Sequence, residues 1–507
     1  MPDREPVPDE PLDESDLRLL ESVRPPGWVN PPPKPRYHLV VIGAGTGGLV
    51  SAAAAAGLGA RVALVERYRM GGDCLNVGCV PSKAIIRAAR AWREASRARA
   101  DFAGPTAAGA GDFPGVMARM RRLRARMSPV DGAPRFRDLG VDVFFGAGRF
   151  VGPEAVEVDG GLLRFRRAII ATGARPSVPA IPGLADAGYL TNETVFGLRA
   201  LPGRLVVIGG GPIGCELAQA FARFGSAVTL VERGPQLLPR EDRDGAAIVE
   251  RAMAGDGVRI VLNAAVRRVE RNGSTRVLVA SRDGGETWIE ADAILVASGR
   301  APNVEGLGLE AAGIECDEAG VAVNDRLRTS NPRVFAVGDV ASPLRFTHNS
   351  DAQARIAIEN ALFFGRARAS GLVMPWCTYT SPEIAHVGLY EKAAREAGHD
   401  VETLTIPLGE VDRAVLDGET AGFFRVHLKR GTDRILGATL VAEHAGDMIG
   451  EIGVAIVNGV GLGGIGRTIH PYPTQAEVFR KAADRRRRGR LTPGVRRVLD
   501  LFFRVFR

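Results

Sequence analysis

Two stretches of the chain repeat one grammar of apolar and polar positions. From Tyr37 the apolar run HLVVIGAG leads into a segment of small residues, GGLVSAAAAAGLG, and then a second apolar run, RVALVER. Apolar runs of this length bounded by glycine predict strands buried on both faces, and the segment between them predicts a helix. RLVVIGGG, PIGCELAQAFARFG and AVTLVERG repeat the strand–helix–strand unit later. Gly43 lies 23 residues before Glu66 and Gly209 lies 23 residues before Glu232, so the two units are in register. Between them VDVFFG and AVEVDGGLLRFRRAIIATG predict strands ahead of a proline-rich bend at Pro176–Pro182. AILVASGRAPN and RVFAVGDVA predict strands ending in glycine turns. From about residue 370 strands alternate with amphipathic helices as far as HPYPTQAEVFRKAAD. Residues 1–36, with ten prolines, predict a largely extended arm. The expected fold class is α/β, with two Rossmann-like dinucleotide-binding domains and an α+β C-terminal domain.

Composition narrows this picture. At 507 residues the chain is too long for one core. Its 63 glycines imply many tight turns and close backbone approaches. No apolar run approaches the roughly 20 residues of a membrane span, and the start MPDREPVPDE lacks a secretory pattern, so a cytoplasmic protein is expected. The net charge of +8 is concentrated at one end: from Arg480 onward there are eleven Lys/Arg and two Asp. The body is therefore close to neutral, and nucleic acid is not an expected partner. The tail ADRRRRGRLTPGVRRVLDLFFRVFR places Val498, Leu499, Phe502 and Phe506 along one helical stripe with arginines elsewhere, the pattern of an amphipathic helix on an anionic membrane surface or of a solvated end.

Candidate chemistry sits in three places. Gly43-x-Gly45-x-x-Gly48 and Gly209-x-Gly211-x-x-Gly214 each follow a strand and open a helix. Such glycines let backbone N–H groups approach a pyrophosphate, and Glu66 and Glu232 are placed to bond a ribose hydroxyl. A carboxylate at Glu232 repels a 2′-phosphate and favours NADH, while the adjacent Arg233 keeps NADPH open. The third place is GGDCLNVGCVPSK, residues 71–83, where Cys74 and Cys79 approach a helix expected to begin near Ser82. A helix N-terminus lowers the pKa of a nearby thiol, so these two of five cysteines form a candidate redox pair. No resident metal is expected.

With these motifs in this order, residues 37–485 resemble the class I pyridine nucleotide–disulfide oxidoreductases, closest to mercuric reductase-like and dihydrolipoamide dehydrogenase-like flavoproteins. The resemblance implies FAD, one per subunit, on the first fingerprint and NADH or NADPH as electron donor on the second. It implies that Cys79 lies against the flavin, that Cys74 meets the substrate, and that Lys83 and Glu216 form an ion pair near flavin N5. Thr172 and Gly173 in AIIATGA and Gly338 and Asp339 in VFAVGD match further flavin-domain motifs, the Asp bonding the ribityl chain. Gly72, beside the cysteines, and Gly299, in AILVASGRAPN, join the cofactor-binding glycines. The implied domains are FAD-binding over 37–185 and 299–368, NAD(P)-binding over 186–298, and a homodimer interface over 369–484, followed by the tail 485–507.

The C-terminal motif bears on the electron acceptor. Thiol-acting members carry a histidine base ahead of Pro-Thr-x-x-Glu, where this chain has Tyr472, with Glu477 closing the motif and His470 two residues earlier. A phenol with a pKa near 10 is a poor proton shuttle at neutral pH. Mercuric reductases are similar at this position, and a soft metal needs thiolate ligands more than it needs a base. The chain ends FFRVFR without the cysteine pair of those enzymes and has no N-terminal CxxC, so a small oxidant, a quinone or a disulfide also fits. A dihydrolipoamide dehydrogenase with His470 as base is the nearest alternative. A membrane-surface redox module serving a partner protein is the alternative from another class.

Overall fold

The computed structural model describes residues 12–106, 111–281 and 284–506. The described residues form two compact units: those within 1–97, 106–235 and 257–372 make one, and those within 98–105, 236–256 and 373–507 the other.

The first unit holds both predicted strand–helix–strand repeats. Strand Tyr37–Ile42 runs parallel to Val62–Glu66 on one side and to Gly161–Ile170 on the other, with Asp142–Phe145 beyond and Val334–Ala336 also against Gly161–Ile170. The second repeat is a smaller parallel sheet in which Arg204–Ile208 lies between Ala227–Val231 and Ala293–Val296. Every residue of Arg204–Ile208 after the first, and of Val62–Glu66 before the last, is buried, as expected of parallel strands covered by helices. A three-stranded antiparallel sheet, Ala264–Asn272, Ser274–Ser281 and Glu286–Ala291, adjoins the second repeat in sequence.

The N-terminal segment departs from the expected extended arm. Residues Glu14–Val23 form a helix closed at its start by a capping box between Asp13 and Asp16. Proline is absent from these ten residues, and Leu19 and Val23 are buried in the same core as Leu39, Val141 and Phe136. Farther on, Asn30 exchanges two 2.8 Å hydrogen bonds with the backbone of Phe145, occupying the open edge of the sheet.

The second unit is built on a five-stranded antiparallel sheet in the order Pro375–Thr378, Glu383–Gly388, Ile435–Ala442, Phe423–Lys429, Val401–Pro407. Ala445–Val457 and Glu477–Gly489 cover it, burying Ile449, Ile452, Phe479 and Ala482 against Phe424 and Leu440. Cys377 lies half-buried on the first of these strands. The basic tail is helical over Pro493–Val505.

Candidate active site

The two glycine fingerprints fold alike. Gly43 and Gly209 take φ of +98° and +112°, and a Cβ on them would stand 2.4 and 2.6 Å from the carbonyl oxygens of Ala171 and Ala297. A Cβ at Gly48 or Gly214 would fall within 2.0 Å of the carbonyl oxygen of Gly43 or Gly209. The outer glycines thus allow turn and packing, while the middle ones stay open: a Cβ at Gly211 would meet nothing within 4 Å, and one at Gly45 only the Gly72 Cα at 3.7 Å. The backbone is bare where a pyrophosphate would approach, at the start of helices Thr46–Gly57 and Pro212–Phe224, so the residues present fit two dinucleotides.

The acids close the two units in the same geometry. Glu66 accepts from the N–H groups of Ala44 and Tyr68, both at 2.7 Å, and Glu232 accepts from Gly210 at 2.6 Å and Gly234 at 2.7 Å. Each carboxylate thereby ties the glycine turn to the end of the second strand. Burial pushes the Glu66 carboxyl above the usual range.

The cysteine loop differs in detail from its sequence expectation. A short helix, Gly72–Val77, carries Cys74, and the long helix begins at Cys79, three residues before Ser82, so Cys79 stands in its first turn. Gly71 and Gly72 both take positive φ, which brings Gly72 beside Gly45. Cys74 is half-buried and Cys79 exposed. The hydrogen bond from Cys74 pulls the Cys79 thiol down to about 6, with help from Thr347 and the Lys83 ammonium. The same hydrogen bond, with burial, pushes Cys74 far up. One proton is thus shared unequally, and Cys79 is the sulfur that carries charge at neutral pH. Its Sγ lies 3.3 Å from the Thr347 hydroxyl.

Lys83 and Glu216 form the expected ion pair, Nζ to Oε2 at 2.7 Å, with the Glu216 side chain 7% exposed. A carboxylate so enclosed needs its cation, since breaking a buried pair leaves an uncompensated charge. Around the remaining motifs, the Thr172 hydroxyl donates to the Asn303 carbonyl at 2.7 Å, Gly173 and Gly338 take φ of +68° and +76°, and the Gly338 N–H donates to Gln353 at 2.8 Å. Gly299, at φ +140°, accepts from Ser177 N–H at 2.9 Å. Asp339 lies 3.5 Å from Arg300, and burial raises its carboxyl. Arg300 also pairs with Asp73, in the cysteine loop.

Among the described residues the C-terminal trio make no hydrogen bonds to one another, although the Glu477 charge also acts on Tyr472. The Tyr472 hydroxyl donates to Asp412 at 3.0 Å, and this carboxylate pushes the phenol further up. The buried His470 side chain meets Glu451 at 3.0 Å. Glu477, expected to orient a base, accepts from Arg480 at 2.6 Å. Glu477 Oε2 and His470 Nδ1 make no hydrogen bond among the described residues.

Thr347, Asn303, Gln353 and Arg300 escaped sequence reading. Thr347 is 268 residues from Cys79, and no local pattern marks it.

The match to known proteins decides the family. Residues 37–359 fit the model for pyridine nucleotide-disulphide oxidoreductases, and residues 374–483 fit the dimerisation domain of the same enzymes. The chain belongs to this family. It is accordingly an FAD-containing enzyme that draws electrons from NAD(P)H, and its dimerisation domain supports a homodimer. A mercuric reductase of Lysinibacillus sphaericus is 36% identical over 448 residues, covering 88% of this chain and 82% of that one. A dihydrolipoyl dehydrogenase of Bacillus subtilis is 34% identical over 465 residues, covering 88% and 97%. The Cu(II) complex of the HOCl-induced flavoprotein disulfide reductase RclA from Escherichia coli superposes with a TM-score of 0.78 at 30% identity, covering 87% and 98%. Relatives of comparable identity thus bear two different names, and the acceptor must be argued from the residues themselves.

Proposed function

We propose that the enzyme is mercuric reductase-like and passes electrons from NAD(P)H through FAD and Cys74/Cys79 to a thiolate-binding metal ion or another small acceptor. The observation that carries this is the state of Tyr472, which stands where thiol-acting members carry their histidine: its hydroxyl is spent on Asp412, which raises its pKa, while Glu477 accepts from Arg480. A dithiol substrate needs a base to take its proton, whereas a soft cation needs two sulfurs. The Cu(II) bound by RclA supports a metal acceptor.

In this reading Gly43, Gly45, Gly48, Gly72, Glu66, Thr172, Gly173, Gly338 and Asp339 hold FAD, Gly209, Gly211, Gly214 and Glu232 hold the nicotinamide dinucleotide, and Gly299 is a further cofactor-binding glycine. The FAD-binding domain takes residues 37–185 and 299–368, the NAD(P)-binding domain 186–298 and the interface domain 369–484. Glu232 favours NADH. Bound FAD supplies relay of an electron pair from the reduced nicotinamide to the sulfurs. Lys83, fixed by Glu216, places a positive charge that favours the Cys79 thiolate. Thr347 holds that sulfur in position. When Hg(II) is reduced to the metal, its two electrons come from Cys74 and Cys79 as their S–S bond forms and the Cys74 proton leaves to solvent; an ion that takes one electron, such as Cu(II), is consumed two per disulfide formed. Tyr472 and Glu477 flank the acceptor from across the dimer.

The test is NADH and NADPH consumption with Hg(II) in excess thiol, lipoamide, glutathione disulfide and quinones. Turnover with Hg(II), lost in Cys79→Ser, is expected. Lipoamide turnover that His470→Ala abolishes would overturn the reading in favour of a dihydrolipoyl dehydrogenase. We also infer a cytoplasmic enzyme that touches a membrane peripherally through residues 485–507, because no described helix is long and apolar enough to cross one while the last helix is exposed throughout.

A further inference from the structure

The last helix has a partner chemistry that its geometry specifies. After Arg490 the Thr492 hydroxyl accepts from the Val495 N–H at 3.3 Å, and Pro493 occupies the first turn, so a new 13-residue helix begins under its own cap. The preceding helix, Glu477–Gly489, is fastened to its sheet: Arg485 donates to the Thr405 carbonyl at 2.9 Å and Arg486 lies 3.5 Å from Glu402. The tail helix is therefore carried by an anchored element, and each of its described residues is exposed.

Advancing about 100° per residue, Val495, Val498, Leu499, Leu501, Phe502, Phe503, Val505 and Phe506 fill one arc of about 200°, and Arg496, Arg497, Asp500 and Arg504 fill the remainder without intermixing. Phe502 is half-exposed although its ring contacts both Phe503 and Phe506, the latter at 4.4 Å, so the aromatic cluster faces water together. An apolar arc of this width exceeds the seam that one facing helix covers. It matches a cylinder half sunk in a plane. At 1.5 Å per residue the helix is roughly 20 Å long, short of the roughly 30 Å hydrocarbon core, so it lies in the surface and does not cross it. Arginine outnumbers acid three to one on its polar arc, and Arg487, Arg488 and Arg490 are exposed just before it.

We propose that Pro493–Val505 docks the enzyme onto an anionic phospholipid surface, with Phe502 and its apolar neighbours among the upper acyl chains and Arg496, Arg497 and Arg504 at headgroup phosphates. The proposal gives a lipid chemistry to the peripheral attachment inferred above and is independent of the electron acceptor. Attachment is strong when apolar burial and basic charge act together, so it needs both the apolar face and anionic lipid.

Vesicle flotation of the FAD-loaded full-length enzyme tests this, with NADH-driven reduction of a soluble dye in the absence of vesicles reporting that each variant is folded. Full-length enzyme is expected to float with phosphatidylglycerol-rich vesicles and roughly tenfold less with pure phosphatidylcholine or in high salt. Phe502→Asp and a chain ending at Arg490 are expected to lose flotation with dye reduction unchanged. Equal flotation of the truncated chain, or equal flotation with neutral vesicles, overturns the proposal. So does a truncated chain that becomes monomeric by light scattering, because the helix would then belong against a second copy. Dye reduction is read without lipid, so failure of the electron path is told apart from failure of docking.

Discussion

Removing the carboxylate of Asp16 is the sharpest test of how the N-terminal segment supports the cysteine loop. Asp16 is 6% exposed and accepts from Arg124 at 2.9 Å and from Arg199 at 3.3 Å. Arg124, 9% exposed, spends its other terminal nitrogen on the carbonyl of Asn76, midway between Cys74 and Cys79. Burial disfavours the Arg124 charge, and Asp16 offsets that. Asp16→Ala leaves an enclosed guanidinium facing no carboxylate on that side, and breaking a buried pair by removing one partner costs about 3–5 kcal/mol. Arg199 also bonds Asp13, so part of its interaction survives and the lower end of that range is expected. Urea unfolding followed by flavin fluorescence measures the global loss. Hydrogen exchange at residues 70–79 should rise, because the Asn76 carbonyl loses a fixed donor. A double cycle with Arg124→Met separates the pair from the rest: the double variant should lose less than the sum of the two singles. A loss below about 1 kcal/mol, with exchange in the loop unchanged, would refute the view that this buried pair braces the redox loop.

Three further outcomes are expected. In the reduced enzyme, thiolate absorbance from Cys79 should appear with a midpoint near pH 6, and Lys83→Met should move that midpoint up; ultraviolet titration at each pH reads both. Glu232→Gln should raise the preference for NADPH, since it removes the carboxylate opposed to a 2′-phosphate; the ratio of kcat/KM values for the two donors measures it. Stability should fall on acidification: His386, enclosed and bonded to Thr439 at 2.8 Å, is pushed down to about 3 by burial. Its ordinary value in the unfolded chain is about 6.5, so unfolding takes up a proton between these limits and stability drops by up to about 1.4 kcal/mol per pH unit as pH falls through them. His386→Gln should flatten that acid slope in denaturant titrations at stepped pH.

Whatever depends on neighbours along the chain was legible in the sequence. Both fingerprints, their acids, the Cys74/Cys79 pair and the tail helix are local patterns: the glycines are demanded by turn and close approach, and the amphipathic stripe by helical period. The order of these motifs was enough to specify the family and its cofactors. The extended reading of residues 1–36 missed the helix Glu14–Val23 because proline content dominated it, while Leu19 and Val23 are buried with Phe136 and Val141, more than a hundred residues away. The helix start near Ser82 moved to Cys79 for the same kind of reason, with glycines 71 and 72 turning the chain against Gly45. Tertiary structure alone decided what surrounds each reactive group. Thr347 beside Cys79, Asp412 on Tyr472 and Glu451 on His470 are pairings between side chains whose partners no local period can select, because hydrogen bonds and charges act over ångströms in space and not over positions in sequence.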